Sequence, residues 1–446
     1  MRQLLKILNH ALLYSLLFIC SCNKPERLPG KVYIAHEKGT YILYRNGIPF
    51  HVRGGAGYTH MEKLKAIGGN TIRTWDTTGL GIILDQAAAN NLAVIAGLPI
   101  PESRYLDYFY KDTEKVKAQY TALRTIIRKY RSHPALLMWC LGNEVDFPYR
   151  PRYKKFYDAF NQLTEMIHME DPDHPVTTTI VNFQPRNILN LRMKVRGIDV
   201  ISFNTFGALK VLQEQLRSYR WLWNGPFLIT EWGISSPQET HRTAWGAPIE
   251  PTSTWKADKY REFHTKYLPV NNPRCLGALT FYWGQKEEVT PTWYSLFDSS
   301  GATTGIVGEM QRLWTGITPA HHPPALEYLL LNGIGAASDI LTEPGRELTV
   351  ELKMKDTISA GFRFNWEVLK EELDPQSTVR PRRQEVGIIP ESNTRITFRA
   401  PQKEGPYRVY VWVHDEHGNI STANIPFYVV EIPNENKNTR LSAQKN

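Results

Sequence analysis

LLMWCLGNEVD (136–146) and PFLITEWGIS (226–235) each run an unbroken apolar stretch into a glutamate, Glu144 and Glu231. A short apolar run bounded by turn residues reads as a strand buried on both faces, the kind found in parallel sheets. Six more such runs lie outward from these two, at 49–54, 71–75, 93–97, 176–181, 199–204 and 277–283. Stretches of helical periodicity separate them. In TEKVKAQYTALRTIIRKYRSHP (113–134), Val116, Tyr120, Leu123, Ile127 and Tyr130 step by four and three, one face of a helix. Thr113 is placed to cap that helix and Pro134 to end it. Phe156, Phe160, Leu163 and Ile167 repeat the pattern. Eight strands alternating with helices over residues 49–316 predict an α/β fold, a (β/α)8 TIM barrel. The competing architecture is an open doubly wound sheet, but the glycines of VRGGAGY (52–58) lack the GxGxxG spacing of a dinucleotide-binding turn.

The flanks read differently. Residues 22–48 predict a tether and an N-terminal hairpin, with Asn46-Gly47 as the turn because both residues tolerate positive φ. ITPAHHPP (317–324) is a linker, and its His321 and His322 have no other ligand cluster near them in sequence. Beyond it helical periodicity stops. Strand-like runs at 348–354, 362–366, 394–399, 407–414 and 425–430 predict a C-terminal all-β sandwich over 325–432, followed by a disordered tail, 433–446. GPYRVYVWVHDEHGNISTANIPFYVV (405–430) resembles the closing strands of an immunoglobulin-like or polycystic-kidney-disease-type domain. The sandwich is expected to pack beside the barrel and to carry none of the chemistry.

The 446 residues carry a formal net charge of +9 without a long basic block or any nucleic-acid-binding motif, so no nucleic-acid partner is expected. Arg2 and Lys6 precede an apolar stretch, 11–20, too short to span a bilayer. Ile19-Cys20-Ser21-Cys22 then resembles a bacterial lipobox, which implies removal of residues 1–21 and lipidation of Cys22. The alternative is an ordinary secretory signal cleaved nearby. Either way the chain is expected to be exported; the lipobox implies an anchor in a bacterial membrane, on the outer-membrane or periplasmic side. Only Cys140 and Cys275 remain in the folded part, which predicts two buried thiols and no disulfide framework. No metal or cofactor is expected, and the oligomeric state is left open.

Counting strands, Glu144 closes the fourth and Glu231 the seventh, so both carboxylates belong at one mouth of the barrel. Paired carboxyls about 5–5.5 Å apart cleave a glycosidic bond with retention, and about 6.5–9.5 Å apart with inversion. The 12 Trp and 22 Tyr suit a sugar-binding cleft, although large barrels also bury aromatics in their cores. WCLGNE and ITEWG, with PFHVRGGAGY and GGNTIRTWD on the first two strands, resemble the catalytic barrel of glycoside hydrolase family 2, part of the clan with catalytic glutamates on strands four and seven. The resemblance covers about 45–285. It implies that Glu144 is the acid/base, beside Asn143, and that Glu231 is the nucleophile of a retaining β-glycosidase acting on a carbohydrate.

The residues around the pair have readings of their own. Asn143 can hydrogen-bond a sugar 2-hydroxyl, and Arg73 can hold the nucleophile ionised. Trp283 is a candidate floor for the sugar, with Asn204 and Trp75 at the mouth; Asp76, Glu102 and Trp232 are further candidates. Two departures stand out. Family 2 enzymes usually carry sandwich domains before the barrel, whereas here the sandwich follows it. The sixth strand ends Asn204-Thr205-Phe206 where related barrels often have Asn-x-Tyr. Transglycosylation and non-catalytic binding of surface glycans are the alternative functions. No HExxH motif supports a metal-dependent hydrolase.

The anchor is directly testable. Mass spectrometry of the mature protein should find an acylated Cys22 at its N-terminus, and Cys22→Ser should release the protein from the membrane fraction.

Overall fold

The structure is a computed structural model that describes residues 31–373 and 383–431. The expected signal segment, Cys22, most of the tether and the C-terminal tail lie outside these residues. Three short strands, β1 (Val32–Glu37), β2 (Thr40–Arg45) and β3 (Ile48–Pro49), form an antiparallel sheet. Asn46 and Gly47 turn β2 into β3 with φ of 51° and 74°, as the Asn-Gly pair predicts.

Eight parallel strands then close a barrel: β4 (Val52–Ala56), β5 (Thr71–Arg73), β6 (Ala93–Leu98), β7 (Leu136–Leu141), β8 (Val176–Val181), β9 (Val200–Thr205), β10 (Phe227–Trp232) and β11 (Cys275–Phe281). They pair in chain order, and β11 pairs back onto β4 to complete the circle. Helices intervene between them. The helix Thr113–Tyr130 is capped by Asp112, whose carboxylate accepts from Glu114 N and Lys115 N, and not by Thr113 as the sequence suggested. Cys140 and Cys275 are both free and buried. No helix among the described residues is long and apolar enough to cross a membrane.

The small sheet covers one end of the barrel. Val32 N donates to Asp173 O at 2.9 Å, Tyr41 N to Pro273 O at 2.7 Å and Arg45 Nη2 to Pro134 O at 2.8 Å. Those carbonyls precede β8, β11 and β7, so the sheet lies under the N-terminal ends of the strands. Its Val32 and Leu43 join the barrel's core. The other end, where Glu144 and Glu231 lie, is the mouth.

The C-terminal module is a sandwich of two four-stranded sheets, built from β12 (Leu326–Leu331), β13 (Leu341–Thr342), β14 (Glu347–Met354), β15 (Arg363–Lys370), β16 (Ile389–Ser392), β17 (Arg395–Arg399), β18 (Gly405–His414) and β19 (Ile420–Val429). Its attachment to the barrel is more intimate than the sequence suggested. Glu250, in the loop after β10, ion-pairs with Lys256 and accepts from Thr290 Oγ1 at 2.6 Å, Thr292 Oγ1 at 2.8 Å and Asn424 Nδ2 at 2.7 Å. Arg408 of β18 pairs with Glu371, donates to Asn424 Oδ1 at 2.6 Å and reaches across to Pro248 O at 2.7 Å. Glu250, Lys256, Arg408, Glu371 and Asn424 are all buried. A second grip holds the loop after β11: Thr303 N donates to Gly418 O, Ile420 N to Thr303 O, and His414 bonds Asp298 at 2.8 Å. The sandwich therefore holds the loop that follows the last barrel strand.

A buried ion pair deprived of one partner leaves an uncompensated charge, which costs about 3–5 kcal/mol. Glu250→Ala should lower the unfolding free energy by about that amount in urea titration. A loss under about 1 kcal/mol would mean that the network adds no net weight.

Candidate active site

The fourth barrel strand, β7, ends in a sharp turn. Gly142 has φ of 80° and Glu144 has φ of 54°, a left-handed conformation uncommon outside glycine. A side chain at Gly142 would come within 2.5 Å of Val145 Cγ2, so the turn requires glycine there. The turn brings Asn143 and Glu144 to the surface of the mouth, where both are exposed.

The seventh strand, β10, carries Glu231 inside the strand and not just beyond it. Alternation alone would send Thr230 and Glu231 to opposite faces. The register against β9 slips between Ile229 and Glu231, the mark of a bulge. Both side chains consequently reach the interior: Thr230 Oγ1 donates to Asn204 Oδ1 at 2.9 Å, and Glu231 meets Arg73. Trp232 then turns outward and packs on Tyr260 and His264, away from the mouth.

Arg73, at the end of β5, is fully buried and joins the site together. Its Nη1 donates to Glu231 Oε1 at 2.8 Å and to Asn204 Oδ1 at 3.1 Å. Its Nη2 donates to Asn143 Oδ1 at 2.7 Å and to Thr179 Oγ1 at 3.2 Å. Asn204 closes the circuit by donating from Nδ2 to Glu144 Oε1 at 3.0 Å and to Asn143 Oδ1 at 3.2 Å. The two glutamates are thus joined through one amide and one guanidinium. Trp75 Nε1 gives Glu231 Oε1 a further hydrogen bond at 2.7 Å, and the Trp75 ring stacks on Tyr282 at 5.6 Å. Lys286, on the loop held by the sandwich, lies over Phe281 and Tyr282 and pairs with Glu288 at 3.0 Å.

Glu231 is only 4% exposed, and this overturns one expectation. Burial pushes its carboxyl up to about 7, and the Glu144 charge adds to the push. Arg73, the Trp75 indole and Lys286 pull the other way without cancelling it. Arg73 was expected to hold this acid below the ordinary range; the desolvation of a carboxylate inside the barrel outweighs it.

The structure brings Glu144, Glu231, Asn143, Arg73, Asn204 and Trp75 together. Trp283 is not among them. It is fully buried, and its side chain fills the space over Gly55, where a Cβ would come within 2.4 Å of it. It stacks edge-on against Phe297 at 5.0 Å and so serves as core, not as a floor. Glu102 pairs with Arg104, and Asp76 accepts from Thr78 N; neither bonds to this network. Sequence reasoning missed Thr179, Thr230, Tyr282 and Lys286. The threonines left a signal: VTTTIV (176–181) puts three hydroxyls into a strand buried almost throughout, where polar groups need partners. Among the described residues no group of three His, Cys, Asp or Glu side chains could hold a metal ion.

Residues 70–261 match the family model described as glycosyl hydrolases family 2, TIM barrel domain. A β-glucuronidase of Paenibacillus borealis is 24% identical over 227 residues, which cover 46% of this chain and 35% of that protein. Among solved structures, a β-glucuronidase from Bacteroides uniformis aligns over 90% of this chain and 48% of its own, with 14% identity and a TM-score of 0.49. A putative β-galactosidase from Bacteroides fragilis aligns over 89% and 57%, with 14% identity and the same TM-score of 0.49. This chain thus spans about a third of the curated relative and about half of the Bacteroides uniformis structure.

Trp75→Phe removes a donor that favours the charged form of Glu231. The Glu231 carboxyl should then titrate above about 7, as read by carbon-13 NMR of labelled glutamate. An unchanged or lower value would show that the indole does not act on the carboxylate.

Proposed function

We propose, from a barrel that belongs to glycosyl hydrolase family 2 and from the circuit linking its two glutamates, that this protein is a retaining β-glycosidase. The observation that carries the reading is the shared network: Glu144 Oε1 accepts from Asn204, Asn204 accepts from Arg73, and Arg73 donates to Glu231 Oε1. The network holds two carboxylates at one mouth in unequal surroundings, Glu144 exposed and Glu231 buried; their roles as acid/base and nucleophile follow the resemblance of WCLGNE and ITEWG to the family 2 motifs and not the difference in burial.

In the first step Glu144 gives its proton to the leaving oxygen while Glu231 attacks the anomeric carbon. The glycosidic bond breaks and a glycosyl ester of Glu231 forms. In the second step Glu144 takes a proton from water, and the resulting hydroxide displaces Glu231. Asn143 Oδ1 is occupied by Arg73 and Asn204, which leaves its amide hydrogens for a sugar hydroxyl. Trp75 and Tyr282 form the aromatic wall beside Glu231. Lipidation of Cys22, as the lipobox resemblance implies, would put this activity on an exported, membrane-bound protein. Sugar and linkage belong to the loops around the mouth.

The test is activity on β-linked aryl glycosides. Glu231→Ala should lose at least about a thousandfold in kcat. Glu144→Ala should lose about 10²–10⁴-fold on poor leaving groups and far less on activated ones, and azide should rescue it as a β-glycosyl azide. Protonated Glu231 cannot attack, so on the acid side kcat/KM should fall as pH drops through about 7. NMR should show the retained anomer first. An inverted first product, or full activity of Glu231→Ala, would refute double displacement.

A further inference from the structure

On the face opposite the mouth, the charged side chains lining one groove are mainly cations. The groove, of about 660 Å³, runs along the edge of the N-terminal sheet, between the helix Leu209–Ser218 and the segment that leads into β11. Lys210, Arg217, Arg220, Lys266 and His36 line it and are exposed. Glu214 is the one carboxylate among its lining residues. Lys210, Glu214 and Arg217 follow one face of the helix by steps of four and three, so the cations are presented together. Lys266 has a carboxylate nearby, Glu262 at 3.4 Å. Arg220 and Asn224 also border a second hollow, beside Trp221. Trp221 is 66% exposed, and Ile48, next to the Asn46-Gly47 turn of the covering sheet, is 69% exposed. An exposed indole beside the groove cations, with an exposed aliphatic side chain elsewhere on the covering sheet, is the makeup of a surface that sits on lipid headgroups.

The chain reaches the body at this same end. Val32 is bonded to Asp173 O under β8. Nine residues separate Cys22 from Val32, ten Cα steps with a reach of at most about 36 Å. A lipid on Cys22 would therefore hold this end near the bilayer, and the barrel mouth would face away.

We propose that the N-terminal face of the barrel docks on an anionic membrane surface. Headgroup phosphates lie along the Lys210–Arg217–Arg220–Lys266 groove, with Trp221 and Ile48 at the lipid interface. The mouth then opens toward soluble glycans and not toward the bilayer. The tether argument rests on the proposed lipidation of Cys22; the groove's affinity for anionic lipid does not.

The experiment separates the two. The chain from Asn23 to Asn446, which contains every described residue and no lipid, is sedimented with vesicles of equal phosphatidylglycerol and phosphatidylcholine, and with pure phosphatidylcholine. It should bind the anionic vesicles, and added salt should release it. The triple variant Arg217→Glu, Arg220→Glu, Lys266→Glu should partition about tenfold less or weaker. The same change of charge on the sandwich, Lys355→Glu, Arg399→Glu, Lys403→Glu, should leave binding within about twofold. Thermal melting checks that each variant is folded, so the result does not depend on enzymatic activity. Equal sedimentation of the two triple variants, or no preference of the parent chain for anionic vesicles, would overturn the proposal. Failure to find a lipid on Cys22 would remove the tether and leave the vesicle result standing.

Discussion

A fully buried guanidinium organises this molecule. Taking Arg73 out of water is tolerable only because each terminal nitrogen has two acceptors and one of these carries a negative charge. Those acceptors come from four places: the turn after β7, and strands β8, β9 and β10. Closing the barrel and assembling the site are therefore one event. If one strand slipped in register, an acceptor would leave the cage and a buried charge would be left short of partners. Arg73 Nε already has no partner among the described residues, so the cage has little slack.

The fold was legible because buried parallel strands write themselves as apolar runs, and a glutamate at the end of such a run has few structural reasons to be there. Residues 176–181 were read with their observed limits. The end of β10 was not, since Glu231 was expected to close the strand and lies within it; a bulge is a backbone event that leaves no mark in the hydrophobic pattern. The bulge carries Glu231 inside, and that burial reverses the expected direction of its titration. Trp283 shows the converse: its place near the end of the eighth strand suggested a sugar platform, but the small residue facing it, Gly55, turned it into packing. In the sandwich, β12 was overlooked because Leu326, Leu329 and Leu330 recur at spacings a helix would also give.

The sandwich bears on the mouth indirectly. Glu250, Thr290 and Thr292 tie the loops after β10 and β11 to Asn424 and Arg408, and Lys286 rides on the second of those loops. The sandwich thus holds the loop that carries a cation near Glu231. Composition could not reveal this, since the partners lie some 130 to 175 residues apart in sequence.

Side chains fill the interior of the barrel and the N-terminal sheet covers its far end, so the site is reached from the mouth. A sugar seated between Trp75 and Glu231 would stopper it, so under double displacement the attacking water could not arrive from beneath. It would have to enter by the path the departing group has just vacated. Release of the first product and admission of the second reactant become consecutive uses of one passage. A slow-leaving aglycone would then delay the next step by standing in its way, whatever the intrinsic reactivity of the ester behind it.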